Sequence, residues 1–392
     1  MRTAFFLDAQ NHPLPARERL VEQYTNDGLV LFLGAGVSRD SGIPNWPELA
    51  DELLRKSGVG HDNLDTIKKA LPSYLTQFEL AGQLLGTPRK LVKKIYHGLY
   101  DHVECRNLLT KIPREYEKQK RWPGWADVLK ALQANKTLRA VGDLLIMNDG
   151  ARATHNPQIH AVLTFNADNL LELYCAAKTR GKRLLTLVDR ASVGEHPDEI
   201  PVYHLHGALD ARGENVFRRV SAPARPPKFQ EISDELLPDL IFRESEYYET
   251  IANPVSFVNH TPQSFLRRLN ALFIGTSLDD LNMRRWLHDS FHERVLHRTK
   301  YLREFYVKQY PEAEYEAEIE SRRHFWLRPE TEKDKNGRPW RVPKKYVDCV
   351  MSNLGVQVIW CKDYDDMRSC IHQVQKLGCN PGFGRRVAEF PI

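Results

Sequence analysis

Apolar residues along this chain fall into two kinds of run, short continuous ones and helically spaced ones, and the two alternate. Leu29 to Leu33 (LVLFL) is unbroken and closes at Gly34, the pattern of a strand buried on both faces of a parallel sheet. HAVLTF (160–165), LLTLV (184–188), VYHLHG (202–207), ALFIGTS (271–277) and VQVIWC (356–361) predict further strands. Between them the spacing changes. NWPELADELLRKSG predicts a helix that Asn45 caps, with Glu48 three residues on as in a capping box and Gly58 as its stop. Helices are also predicted from Asn169 towards Lys178, around ESEYYETIAN, over DLNMRRWLHDSF and over YDDMRSCIHQVQKLG. From about Asp65 to Gly150 the spacing is helical almost throughout, including LVKKIYHGLY and WADVLKALQANKTLRAVGDLLIM.

Strands that alternate with helices and end in small polar residues predict an α/β fold, a doubly wound (Rossmann-like), mostly parallel sheet with a helical insertion. The expected division is an N-terminal segment with the first strand–turn–helix (1–58), the helical insertion (59–157), and the remainder of the core (158–392). Two segments read as exposed loops: the proline-rich basic RRVSAPARPPKF (218–229) and the charged stretch 328–345. The pair Tyr247–Tyr248 reads as one ring packed inward and one half exposed.

Composition adds exclusions. The 392 residues are 42% hydrophobic and 27% charged, an ordinary globular balance. The net charge of +5 permits an anionic ligand, and the basic stretches read as solvated loops, so no sequence-specific nucleic-acid binding is expected. Asp8 interrupts the N-terminal apolar patch, which argues against a signal peptide, and no run approaches the roughly 18 apolar residues of a membrane span. The six cysteines form no CxxC pair, so neither structural zinc nor a disulfide framework is expected, and a cytoplasmic protein is.

The candidate chemistry sits at strand ends, where a doubly wound sheet binds its ligands. Gly34-Ala35-Gly36 lacks the third glycine of a dinucleotide fingerprint, Arg39 standing there, and lacks the Lys-Ser/Thr of a P-loop. It is either a phosphate-cradling turn or a tight strand exit. Asn166 and Asp168 in TFNADN are either site residues or helix caps. His204 and His206 share a strand face, and this pair is a general base, a metal pair or structural. Thr276, Ser277 and Asp279 in GTSLDD suit ribose hydroxyls and phosphate, or a strand-to-helix turn capped by Asp279 or Asp280.

The series GAGVS…SGIP, T-x-N-x-D, HG and GTSL resembles the sirtuin family of NAD-consuming enzymes. The resemblance covers roughly 28–46 and 158–392. It implies that Gly34, Ala35, Gly36 and Ser38 bind the NAD diphosphate and that Asn166 and Asp168 flank the nicotinamide end. It further implies His206 as base and Gly275, Thr276 and Ser277 at the adenosine ribose. Two departures matter. No cysteine lies between Cys175 and Cys349, where protein-deacylating sirtuins carry a four-cysteine zinc module, and Asn45-Trp46-Pro47 replaces the Asp-Phe-Arg that follows GIP. Both look like the zinc-free sirtuin-like NADases of bacterial antiviral defence. That likeness implies NAD as substrate, a homo-oligomer, and a separate sensor such as a HerA-type ATPase or an Argonaute. The alternatives are an NAD-dependent deacylase or ADP-ribosyltransferase, and a non-catalytic NAD or ADP-ribose sensor.

Overall fold

The computed structural model describes residues 15–112, 122–149, 152–182, 184–188, 198–212, 240–305, 323–330 and 343–378. Among them lie the strands β1 (Leu29–Leu33), β2 (Ile146–Asp149), β3 (Arg152–His155), β4 (Ile159–Thr164), β5 (Leu185–Val188), β6 (Ile200–His204), β7 (Asn270–Ile274), β8 (His324–Pro329) and β9 (Val356–Cys361). Seven form one parallel sheet in the order β5-β6-β4-β1-β7-β8-β9, with helices in the connections. This is the doubly wound, Rossmann-like α/β arrangement, wholly rather than mostly parallel; β2 and β3 make a separate antiparallel pair. Strands β1, β7 and β8 are buried at every position, which is why β1 and β7 read as unbroken apolar runs rather than alternating ones.

The described residues divide into two compact units. One comprises those of 1–32, 157–161 and 260–392. Here β7, β8 and β9 run parallel in the register Ile274↔Leu327 and Arg328↔Trp360. The helix Ala16–Asn26 packs on the helix Tyr364–Gly378, and Arg17 pairs with Asp366 at 2.8 Å. The second turn of Ala16–Asn26 holds Glu22, 6% exposed, neither carboxylate oxygen of which has a hydrogen-bond partner. Burial pushes its carboxyl up to about 7, Arg19 opposing and Asp27 adding to the rise. A folded-state value above the ordinary one means that stability is full at low pH and lost as pH rises towards 7. Glu22→Gln is therefore expected to raise stability by about 2 kcal/mol at pH 8 and to leave it unchanged near pH 4. Urea denaturation at the two pH values checks this.

The other unit comprises 33–156 and 162–259. In it the helix Trp46–Lys56 starts with the predicted capping box: Glu48 N–H donates to the Asn45 side chain (2.9 Å) and Asn45 N–H to Glu48 (3.0 Å). The helices His61–Ala70, Tyr74–Leu85, Pro88–Tyr100, Trp125–Leu132 and Lys136–Leu145 follow. Tyr247 is 8% exposed and Tyr248 59%, as the pair was read.

Three readings need correction. The helix expected through Met147 is broken. Asn135 leaves the helical backbone to cap Lys136–Leu145, accepting from Leu138 N–H at 2.9 Å, and Ile146 begins β2. The segment 328–345 is not an exposed loop at its ends: Arg328 and Pro329 belong to β8, and Lys344 opens the helix Lys344–Ser352. Strand β8 escapes a hydropathy reading because His324 and Arg328 bracket only three apolar residues. Both are buried, His324 accepting from Ala271 N–H at 3.1 Å and Arg328 lying 4.5 Å from the Trp326 ring. Strand β6 ends at His204, so His206 lies beyond the strand. The rest of 328–345 (331–342) and the basic stretch 218–229 lie outside the described residues. No helix among the described residues is long and apolar enough to cross a membrane.

Candidate functional site

Strand β1 runs into Gly34, whose backbone is extended, and the chain then makes two short 3-10 turns, Ala35–Val37 and Arg39–Ser41. Val37 N–H bonds Gly34 C=O and Ser38 N–H bonds Ala35 C=O, so the first two N–H groups of the turn, those of Ala35 and Gly36, have no acceptor within it. The left-handed glycine is Gly42 (φ 90°), where a Cβ would collide with His102 C=O. The turn is held from the helical block. Asn135 Nδ2 donates to Val37 C=O and to Ser41 Oγ, both at 2.9 Å.

The end of β4 grips this turn twice. Asn166 Nδ2 donates to Gly34 C=O at 3.1 Å, and Ser38 Oγ donates to Asp168 Oδ1 at 2.9 Å. Asp168 Oδ1 also accepts from Leu170 N–H at 3.2 Å, just inside the helix Leu170–Lys178. The bond to Leu170 N–H is the helix-start contact that the capping reading of Asp168 expects. The opposite oxygens, Asn166 Oδ1 and Asp168 Oδ2, are buried and have no hydrogen-bond partner. Burial pushes the Asp168 carboxyl up to about 6, against the pull of Ser38 and the Leu170 amide. Two buried acceptors left open beside a glycine turn is a pattern that a polar ligand satisfies.

The two histidines do not share a role. His204 ends β6 with Nδ1 at 2.9 Å from Asn166 C=O and Nε2 at 2.7 Å from Glu172 Oε1, and it is fully enclosed. His206 lies past the strand in a turn closed by Gly207 (φ 80°), whose N–H bonds His204 C=O. Its ring, 8% exposed, meets Phe165 (4.9 Å), Trp46 (5.9 Å) and Tyr247 (6.3 Å) edge-on. Among the described residues no group of three or more His, Cys, Asp or Glu is arranged to hold a metal.

Several supporting residues were not read from the sequence. Tyr100, from the helix Pro88–Tyr100, donates to Leu209 C=O at 2.7 Å and accepts from Asn169 N–H, tying the segment after His206 to the helix after Asp168. Trp46 and Phe242 stack edge-on at 4.9 Å, with Phe78 behind them. Asn135 had a local signal, a lone Asn before Lys-Thr-Leu; Tyr100, Phe242 and Glu172 had none.

Gly34, Ala35, Gly36, Ser38, Asn166, Asp168 and His206 thus belong to one unit, whereas Gly275, Thr276 and Ser277 belong to the other. There the turn after β7 has Gly275 at φ 68° and Leu278, a non-glycine, at φ 55°. Trp326 Nε1 donates to Thr276 C=O at 3.0 Å, and Asp280 caps the helix Leu281–Phe305 by accepting from Met283 N–H. The Thr276 and Ser277 hydroxyl oxygens accept from Leu278 and Asp279 N–H, which leaves their O–H groups as donors.

Residues 160–340 match the family model of a SIR2-like domain. The match takes in Asn166, Asp168, His206 and Gly275–Ser277 and stops short of the glycine turn. No curated protein matches the chain.

Proposed function

We propose that this chain, whose SIR2-like domain at residues 160–340 marks an NAD-using enzyme, hydrolyses NAD at the nicotinamide–ribose bond to give nicotinamide and ADP-ribose. The observation that carries the reading is the pair of buried, unpartnered acceptors, Asn166 Oδ1 and Asp168 Oδ2, on a loop bonded directly to the glycine turn. A dinucleotide offers what these groups lack. The first N–H groups of the turn, at Ala35 and Gly36, suit its diphosphate, and two open acceptors suit a carboxamide N–H and ribose hydroxyls. In this reading Asp168 holds the nicotinamide amide, with Ser38 orienting the carboxylate because its own O–H is committed to it.

Cleavage builds positive charge on the ribose, an oxocarbenium-like state. Asn166 Oδ1 accepts from the attacking water or a ribose hydroxyl, and His206 takes up the proton. Trp46, Phe165 and Tyr247 close on the His206 ring, and this aromatic packing favours a small acceptor, water, over an acyl-lysine side chain. Depletion of NAD by a homo-oligomer under a separate sensor, in antiphage defence, is the setting proposed for this chemistry. The test is chromatography of the purified chain with NAD, with and without an acetyl-lysine peptide. Equal nicotinamide and ADP-ribose without peptide is expected. Acetyl-ADP-ribose formed only with peptide would make it a deacylase, and NAD bound without turnover a sensor.

A further inference from the structure

Asn166 is held at three of its polar groups. Its N–H donates to Thr164 Oγ1 (3.0 Å), which in turn donates to Leu33 C=O (3.1 Å). Its Nδ2 bonds Gly34 C=O, and its own carbonyl accepts from His204 Nδ1. Only Oδ1 is left open. The carbonyl bond is the one that the sheet does not supply: the ladder bond Leu205 N–H to Thr164 C=O would be continued by Gly207 N–H, which is given to His204 C=O instead. A buried carbonyl at this place needs a side-chain donor.

We infer that His204, paired with Glu172, is a positioning residue for the proposed hydrolysis: by holding the Asn166 carbonyl it sets the direction in which the Asn166 amide points. A carbonyl faces Nδ1 and a carboxylate faces Nε2, so an imidazolium that donates from both nitrogens fits the ring's two partners. Burial lowers its proton affinity, but the Glu172 charge and hydrogen bond, the Asn166 carbonyl and the Asp168 charge outweigh that and hold it above the ordinary value. Glu172 sits on the helix whose first N–H binds Asp168, so one buried pair braces the loop that presents both open acceptors. His204 touches no reacting atom. It acts through Asn166.

The inference rests on the hydrolase reading for its kinetic test. Two variants separate the two ends of the ring, because an Asn amide reproduces Nδ1 and a Gln amide reproduces Nε2. His204→Gln, which drops the Asn166 bond, is expected to lower kcat at least tenfold with KM for NAD within about twofold. His204→Asn, which keeps it, and Glu172→Gln, whose amide can donate to Nε2 and leave the proton on Nδ1, are expected to stay within about fivefold of wild type. Equal kcat in His204→Gln and wild type, or equal losses in the Gln and Asn variants that track their melting temperatures, overturns the inference. The Asn166 side-chain amide resonance in asparagine-labelled protein is the second readout: it should move in His204→Gln and stay in His204→Asn. Absence of nicotinamide release by wild type defeats the hydrolase reading alone, and an Asn166 resonance that does not move in His204→Gln then defeats this one.

Discussion

His206→Ala is expected to reduce nicotinamide release by about 10²–10⁴-fold while NAD binding survives, the range that a general base contributes. His206 lies beyond the end of β6, its backbone C=O accepts from Ile241 N–H at 3.1 Å, a bond that the substitution keeps, and Gly207 makes the turn that places it there. Removal of the side chain forfeits edge contacts with Phe165, Trp46 and Tyr247, which costs about 1 kcal/mol and leaves the fold intact. His206→Phe, which keeps an aromatic ring in the same cage, should lose as much rate with a smaller change in melting temperature. Single-turnover measurements beside thermal unfolding decide the matter, and a hydrolysis rate within threefold of wild type in both variants would sink His206 as the base.

The second large effect belongs to Asp168. Its carboxyl, pushed up to about 6 by burial, is a carboxylate at neutral pH and protonates as the pH falls through 6. Protonation turns the open Oδ2 from an acceptor into a donor, so kcat/KM is expected to fall about tenfold per unit below pH 6. Asp168→Asn should remove that limb and leave activity at least about 100-fold lower at pH 7.5, since an amide holds a carboxamide N–H less well than a carboxylate does. Stability should move the other way. A folded-state value above the ordinary carboxylate range means that the charged form opposes folding, an effect absent at low pH and complete once the pH passes 6. Asp168→Asn, which can still accept from Ser38 and Leu170 N–H, is therefore expected to gain about 2 kcal/mol at pH 7.5 and nothing near pH 4. Urea unfolding at both pH values reads this gain, and a variant less stable at pH 7.5 would contradict the burial argument.

Sequence by itself determined the parts of this protein in which the controlling contacts lie within a few residues. The capping box at Asn45 and Glu48, the exit of β1 into Gly34, the inward Tyr247 beside the outward Tyr248 and the parallel character of the sheet were all legible, because burial on both faces writes itself as an unbroken apolar run. The positions of Asn166 and Asp168 just past a strand were legible for the same reason, whereas the end of β6 at His204, two residues short of His206, was not. Tertiary structure alone decided what those residues touch. Ser38 and Asp168 are 130 positions apart, Asn166 and Gly34 are 132 apart, and His204 meets Glu172 across 32. No periodicity encodes a hydrogen bond over such separations. Strand β8 was hidden because His324 and Arg328 look like solvent-facing residues until a backbone N–H and two tryptophan rings are found to enclose them. Of the two histidines in VYHLHG, spacing could not say which one is spent on a buried ion pair; the carbonyl and carboxylate that enclose His204 made that choice.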